Sequence, residues 1–500
     1  MNRRQIVVGG LAALGLGVGY VASRRMTPGM HNGMGHPMPG MPADRPRIMT
    51  IPEGRPLPDL QRLTNQSTRA GQFIGSLTSE VGHAEFVKGK HTQILGYNGF
   101  SPGPVIDATE GDRISISVAN KLSDRDTTVH WHGLDIPSDQ DGNPMDPLKP
   151  GGSRHYEFEL QPGNIGPFWY HPHPHDDTPE QVYMGLAAPF IVRPKFDPLA
   201  GIPETTLFIT SLSLLEDGSI APNSMADWMN GREGDHVLIN GAKNPVLSVA
   251  PGSSRRFRIY NATNGRYLRL SVDGHKMTLV GSDGGYLRSP VPGLEEVLLA
   301  PAERVEVVIN FDVGAGRAIL RNRAYDRGWM GPGRPATAEM PIMTIERAGV
   351  VEKPFELPRV FRDIEALGVP VATKRLVLGE SMSMSGSGMS MQFLINGKSF
   401  DMSRVDFTSR VGDIELWEIE NPTDMDHPMH IHGTQFQVVE RQAGGRKQPA
   451  PLLAWKDTVN VARGETVRLR VMQSMKGPRM YHCHILEHEK QGMMGVVNVV

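Results

Sequence analysis

The stretch Tyr481–Gly495, YHCHILEHEKQGMMG, contains the one cysteine of a 500-residue chain. Cys483 lies between His482 and His484, with His488 five residues further on and Met493 ten. A thiolate, an imidazole and a weakly binding thioether, joined by one more histidine, make up the donor set of a trigonal electron-transfer copper site. If the tripeptide lies on a strand, alternation turns Cys483 to one face and both histidines to the other. One short segment then touches two metal sites and wires them together. A lone cysteine is ordinarily a small buried hydrophobe, but donors on both sides of Cys483 and at 488 and 493 argue against that reading.

His-x-His recurs four times, as His130-Trp131-His132, His171-Pro172-His173, His430-Ile431-His432 and His482-Cys483-His484. One pair means little, since two histidines on a strand face are often merely solvated. Eight imidazoles are enough for a cluster of several ions, and because four come from each end of the chain, the two ends must meet at it. His427, three residues before His430, supplies the missing histidine for the cysteine site. At the corresponding places in the N-terminal region stand Thr127 and Pro172, so that region keeps the paired histidines and lacks the cysteine site.

The elements that position these residues follow from a repeat. Asn98-Gly99, Asn240-Gly241 and Asn396-Gly397 are followed by Gly111, Gly252 and Gly412, and nine residues after each of those comes Asn120, Asn261 or Asn421. The residues between alternate as strands do, and three similar β modules follow. With 56 Gly and 40 Pro for turns, the chain reads as all-β. The expected divisions are an export signal over 1–25, a Met/Pro/Gly-rich linker over 26–59, modules over 60–195, 196–350 and 370–500, and a connector over 351–369. The middle module has no His-x-His, only the isolated His275, and reads as spacer and scaffold.

A net charge of −2 leaves no footprint for nucleic acid, and one cysteine excludes an internal disulfide. Arg3-Arg4 before an apolar, Gly-rich run resembles a twin-arginine export signal, which predicts a periplasmic protein. That run is too short for a spanning helix, so no stable membrane insertion is expected once the leader is cleaved; an uncleaved anchor is the alternative. Met26–Pro42 has five Met, four Pro, four Gly and two His, which predicts disorder. It reads equally as a copper-binding tether or a plain linker. SMSMSGSGMSM, Ser381–Met391, reads as a flexible surface insert suited to Cu(I) capture, or as a plain loop.

HWHG, HPH, HPMHIHG and HCHILEHEKQGMM, in that order across three repeats, resemble the four copper signatures of the multicopper oxidases, built from three cupredoxin-like Greek-key β-sandwich domains. The likeness covers the chain from about residue 60 onward. It implies four copper ions. His427, Cys483, His488 and Met493 would hold the type 1 ion, and His130 and His430 the type 2 ion. His132, His171, His173, His432, His482 and His484 would hold the type 3 pair. It also implies one-electron oxidation of a donor coupled to four-electron reduction of dioxygen to water. Asp141 and Glu489 match acidic positions that similar enzymes use for proton delivery.

The donor is less constrained. The methionine-rich stretches, the leader and Met425-Asp426 beside His427 make the chain similar to periplasmic copper-efflux oxidases, with Cu(I) as donor in copper tolerance and Asp424 or Asp426 as the hard partner of a thioether. A laccase-like phenol oxidase is the alternative within the same chemistry, and a non-catalytic copper-binding scaffold is the alternative outside it. A monomer is expected.

Overall fold

The computed structural model describes residues 49–331, 338–385 and 388–500, and side chains outside 383–390. The leader and the methionine-rich stretch 26–42 lie outside the described residues. Three pairs of sheets follow one another along the chain. The first domain has two four-stranded sheets, the second a seven- and a five-stranded sheet, and the third a six- and a five-stranded sheet. Among the described residues no helix is long and apolar enough to cross a membrane.

The repeated asparagines explain the likeness of the three domains. Asn98, Asn240 and Asn396 have φ near +55°, +52° and +54° and are each followed by a left-handed glycine, the backbone of a tight hairpin turn. Each asparagine side chain is bonded on both its donor and acceptor side to the domain's first strand, as in Asn98 Nδ2 to Ser76 O and Thr78 N to Asn98 Oδ1. The second set, Asn120, Asn261 and Asn421, is buried. Each donates to two backbone carbonyls and accepts a backbone N–H two residues on. In each domain the first strand pairs in parallel with the strand ending at that asparagine, such as Gln72–Val87 with Arg113–Asn120. Separate apolar cores fill the three sandwiches, around Trp131 and Phe190, Phe257 and Leu270, and Trp417 and Leu469.

Two expectations change. Residues 49–59 are not free linker: Glu53 and Pro56 bridge to Lys243 and Val246 of the second domain, and Ile51 is buried. Within Ser381–Met391, residues 381–385 and 388–391 are strand rather than loop. Strand pairing continues from Ala372–Ser385 into Gly388–Ile395, with Met382 opposite Met391 and Met384 opposite Met389, because the hairpin grows out of an established sheet whose register extends through residues of weak strand propensity. Met391 also packs against the third core.

Candidate metal centre

The strand Gly477–Cys483 pairs antiparallel with His427–Ile431, setting Cys483 opposite Met429 and His482 opposite His430. In the first domain, His130–His132 pairs with Gly166–His171, setting His130 opposite His171. Alternation along these strands then sorts the side chains into two centres.

Cys483 Sγ is 3.5 Å from His427 Nδ1 and 3.9 Å from His488 Nδ1, and the two nitrogens are 3.4 Å apart. The short helix Leu486–Lys490 brings His488 back under the cysteine. Met493 is buried in the same core cluster as Cys483, and its carbonyl accepts from the cysteine N–H at 3.0 Å, whereas Met494 packs with Met480 and Val496 elsewhere. Burial holds the thiol well above its ordinary range, so its ionised form calls for a cation beside it. The Ile485 N–H points at the sulfur at 3.4 Å.

On the other face, the nitrogens of His132, His171 and His484 converge, as do those of His173, His432 and His482; His130 and His430 meet between the groups, with Nε2 atoms 3.4 Å apart. Eight buried imidazoles from two domains thus share one volume. Burial depresses the basicity of seven of them, taking His482 to about 3 and His132, His171, His173, His430, His432 and His484 well down. They are therefore neutral, the form a metal needs.

The hydrogen bonds around the rings fix which nitrogen is free. His130 Nδ1 donates to the Asp141 carbonyl at 3.0 Å and His430 Nδ1 to the Asp457 carbonyl at 2.7 Å. His482 Nδ1 donates to the Cys483 carbonyl at 3.0 Å, and His432 Nδ1 to Asp141 Oδ2 at 3.0 Å. The Nε2 atoms left over on His432 and His482 carry lone pairs that point at each other 3.1 Å apart, and His173 Nε2 stands 3.2 Å from His482 Nε2. His132 is the reverse case: its Nε2 donates to Asp457 Oδ1 at 3.0 Å and its Nδ1 faces His171 Nε2 at 3.5 Å. Both nitrogens of His484 are buried with no hydrogen-bond partner. Converging lone pairs in a buried pocket repel unless a cation lies among them, so the residues present fit bound metal ions.

Of the two acids, Asp141 is buried against His130 and His432, and Arg479 Nη1 lies 4.0 Å from it. Glu489 is buried with Oε1 3.7 Å from His173 Nδ1 and Oε2 3.6 Å from His482 Nδ1, and burial raises its pKa to about 8. His175 is not brought into the cluster; it packs edge-on against Phe400. The expectation for Met425-Asp426 fails. Met425 is buried in the third core, and Asp426 is buried as the acceptor of Tyr325 OH, Asn460 Nδ2 and the Arg463 N–H. Asp424 remains exposed.

Several contributors had no sequence signal. Phe393 stacks on His488 at 3.8 Å and 17°, and the Met229 carbonyl lies 3.3 Å from His488 Nε2. Trp169 lies tilted against His171, and Asp457 holds His132 and His430. Met229 belongs to the middle domain, which is therefore more than spacer. The glycines of HWHG and HIHG were legible as letters but not as spaces: a Cβ on Gly433 would collide with Arg479, and one on Gly133 with Asp457.

Multicopper oxidase family models match residues 78–197, 213–322 and 376–500. The solved multicopper oxidase of Campylobacter jejuni, described as a metallo-oxidase, is 41% identical with a TM-score of 0.86, over 92% of this chain and 98% of that one. A multicopper oxidase of Staphylococcus epidermidis is 33% identical over 85% of this chain and 88% of its own length. The Bacillus subtilis laccase is 29% identical over 89% and 97%. With three cupredoxin-like sandwiches around buried cysteine and histidine centres, the chain belongs to the multicopper oxidase family. It is a copper oxidoreductase that takes electrons from a reductant and delivers them to dioxygen.

Proposed function

We propose that this oxidase holds four copper ions and uses Cu(I) as its main donor, in copper tolerance. His427, Cys483, His488 and Met493 hold the type 1 ion, and His130 and His430 the type 2 ion. The type 3 pair divides between His132, His171 and His484 on one side and His173, His432 and His482 on the other. The observation that carries this assignment is the set of opposed lone pairs on rings whose other nitrogens are already committed. When bound, copper supplies the one-electron steps that oxidise the donor and reduce dioxygen to water. Cys483 joins the two centres through the backbone it shares with His482 and His484. Asp141 orients His130 and His432, and Glu489, near neutrality in its affinity for protons, is the group suited to passing them inward.

The donor reading is supported by the surroundings of His488. Phe393 on its ring belongs to the same strand as Met391, two residues away on the same face, and Met391 lies opposite Met382, which is 52% exposed. Burial, and then the nearby charge of Asp424, raise the Glu380 carboxyl above its ordinary range, so two carboxylates stand near the root of this methionine hairpin. Soft thioethers bind Cu(I) and hard oxygens Cu(II). The likeness to a metallo-oxidase favours the same reading, whereas the likeness to a laccase favours phenols. A non-catalytic scaffold has no need of ten buried histidines and a cysteine so arranged.

The test is steady-state oxygen uptake by copper-loaded protein with Cu(I) and with a phenol, before and after Met382, Met384 and Met389 are replaced together by serine. Loss confined to Cu(I) turnover supports the reading; equal losses on both donors overturn it. We further propose export through the twin-arginine leader and a monomeric periplasmic enzyme, to be checked by cell fractionation with Arg3-Arg4→Lys-Lys and by light scattering.

A further inference from the structure

The middle domain supplies none of the paired histidines, yet its Arg304 holds the carboxylate that His132 bonds. Arg304 is buried, and all five of its donors are used. Nε donates to Pro167 O at 2.7 Å, Nη1 to Ala302 O at 3.0 Å and Asp457 Oδ1 at 2.7 Å, and Nη2 to Asp283 O at 3.2 Å and Asp457 Oδ2 at 2.5 Å. Three domains meet at this one side chain: Pro167 is in the first, Ala302 and Asp283 in the second, Asp457 in the third.

Asp457 in turn accepts from His132 Nε2 through its carboxylate and from His430 Nδ1 through its carbonyl. Thr458 Oγ1 lies between, 3.1 Å from His132 Nε2 and 3.3 Å from His430 Nδ1. The two rings are stacked at 3.8 Å and 14°. The neighbouring Lys456 is paired with Asp283 and Glu303 at 2.8 and 3.2 Å, which fixes the same segment to the middle domain a second time. Gly133, next after His132, leaves the needed room, since a Cβ there would stand 2.3 Å from Asp457 Oδ2 and 2.9 Å from Arg304 Nη2.

We propose that Arg304 is a positioning residue for the metal cluster: through Asp457 it fixes the His132 and His430 rings, so that docking of the middle domain and metal uptake by the first and third domains form one linked equilibrium. This rests on the copper assignment above. A buried carboxylate keeps its charge and orientation only while its partner is in place, and groups that orient metal-bound histidines control affinity as well as geometry. Linkage then requires the converse, that metal held by His132 and His430 tightens the docking of the middle domain.

The test compares wild type, Arg304→Lys, Asp457→Asn and Arg463→Ala. Arg463→Ala removes an exposed ion pair with Asp326 between the same two domains, 3.0 Å long, without touching the rings. Copper per chain is titrated against a competing chelator, with the blue absorption of the cysteine-bound ion as internal reference. Hydrogen exchange of the peptide 300–306 is followed with and without copper. For Arg304→Lys and Asp457→Asn we expect normal blue absorption, cluster affinity reduced about 10- to 100-fold, and loss of the copper-dependent protection of 300–306. Arg463→Ala should keep both. Wild-type cluster affinity in Arg304→Lys and Asp457→Asn, or protection that copper does not alter in wild type, overturns the linkage. If the wild-type chain takes up only the blue ion, the cluster assignment itself falls. Arg304→Lys retains the buried charge, and if one variant fails to fold the other still decides the question.

Discussion

Replacing Glu489 by glutamine should change how the copper-free protein responds to pH. The carboxyl is fully buried and its pKa is raised from 4.5 to about 8. Between those values the folded protein keeps a proton that the unfolded chain has released. Stability therefore falls as pH rises, by about 1.4 kcal/mol per pH unit. Below 4.5 both states are protonated and the penalty vanishes; above about 8 it is complete. From pH 5 to pH 8 the wild type should lose about 3.5 kcal/mol relative to Glu489→Gln, which cannot titrate. The assay is urea unfolding of both apoproteins at several pH values, followed by tryptophan fluorescence. Taking the difference between them cancels the buried histidines, whose lowered pKa values give the opposite slope in acid. A difference that stays flat, or grows in favour of the wild type, would refute the account of Glu489 as a group buried without compensation. If Glu489 also relays protons, the copper-loaded variant should turn over roughly 10²-fold more slowly with its blue absorption unchanged.

Gly133→Ala should destabilise the protein by about 3 kcal/mol, combining left-handed backbone strain with a side chain forced against Asp457; chemical unfolding measures it, and a loss below about 1 kcal/mol would contradict the packing described. Phe393→Ala removes a buried ring stacked on His488, at about 3–5 kcal/mol, and should shift the blue absorption band; an unaltered spectrum would mean that the ring does not hold His488. Cys483→Ser should abolish both the blue colour and donor oxidation while leaving the paramagnetic signal of the type 2 ion, and retention of donor oxidation would rule out the electron route.

The histidine pairs were legible because two ligands on one strand face must be two residues apart, and the domains were legible because Asn120, Asn261 and Asn421 perform the same three hydrogen bonds at the same interval. Asp457 was not legible. It stands 325 residues from His132 in the chain, and a single carboxylate carries no periodicity to mark it. Arg304 and Phe393 are of the same kind, each defined only by what the fold lays beside it. Met425 and Asp426 misled because proximity to His427 in sequence says nothing of exposure, and the segment around Gly328 bridges to Met425. The methionine hairpin misled through composition: serine and glycine suggest a loop, but the neighbouring strand imposes its register on them.

The pairing of Cys483 with Met429 and of Tyr481 with Gly495 locks one strand between two neighbours. Since consecutive residues there face opposite ways, removing a single residue anywhere between Gly477 and Tyr481 would swap the sulfur and imidazole sides together. Both centres would be lost in one step, whereas the exposed Gly444-Gly445 tip could gain or lose residues with little effect on either. Length in this strand matters to both centres as much as the identities of His482 and Cys483 do, whereas a hairpin end such as Gly444-Gly445 has room to vary.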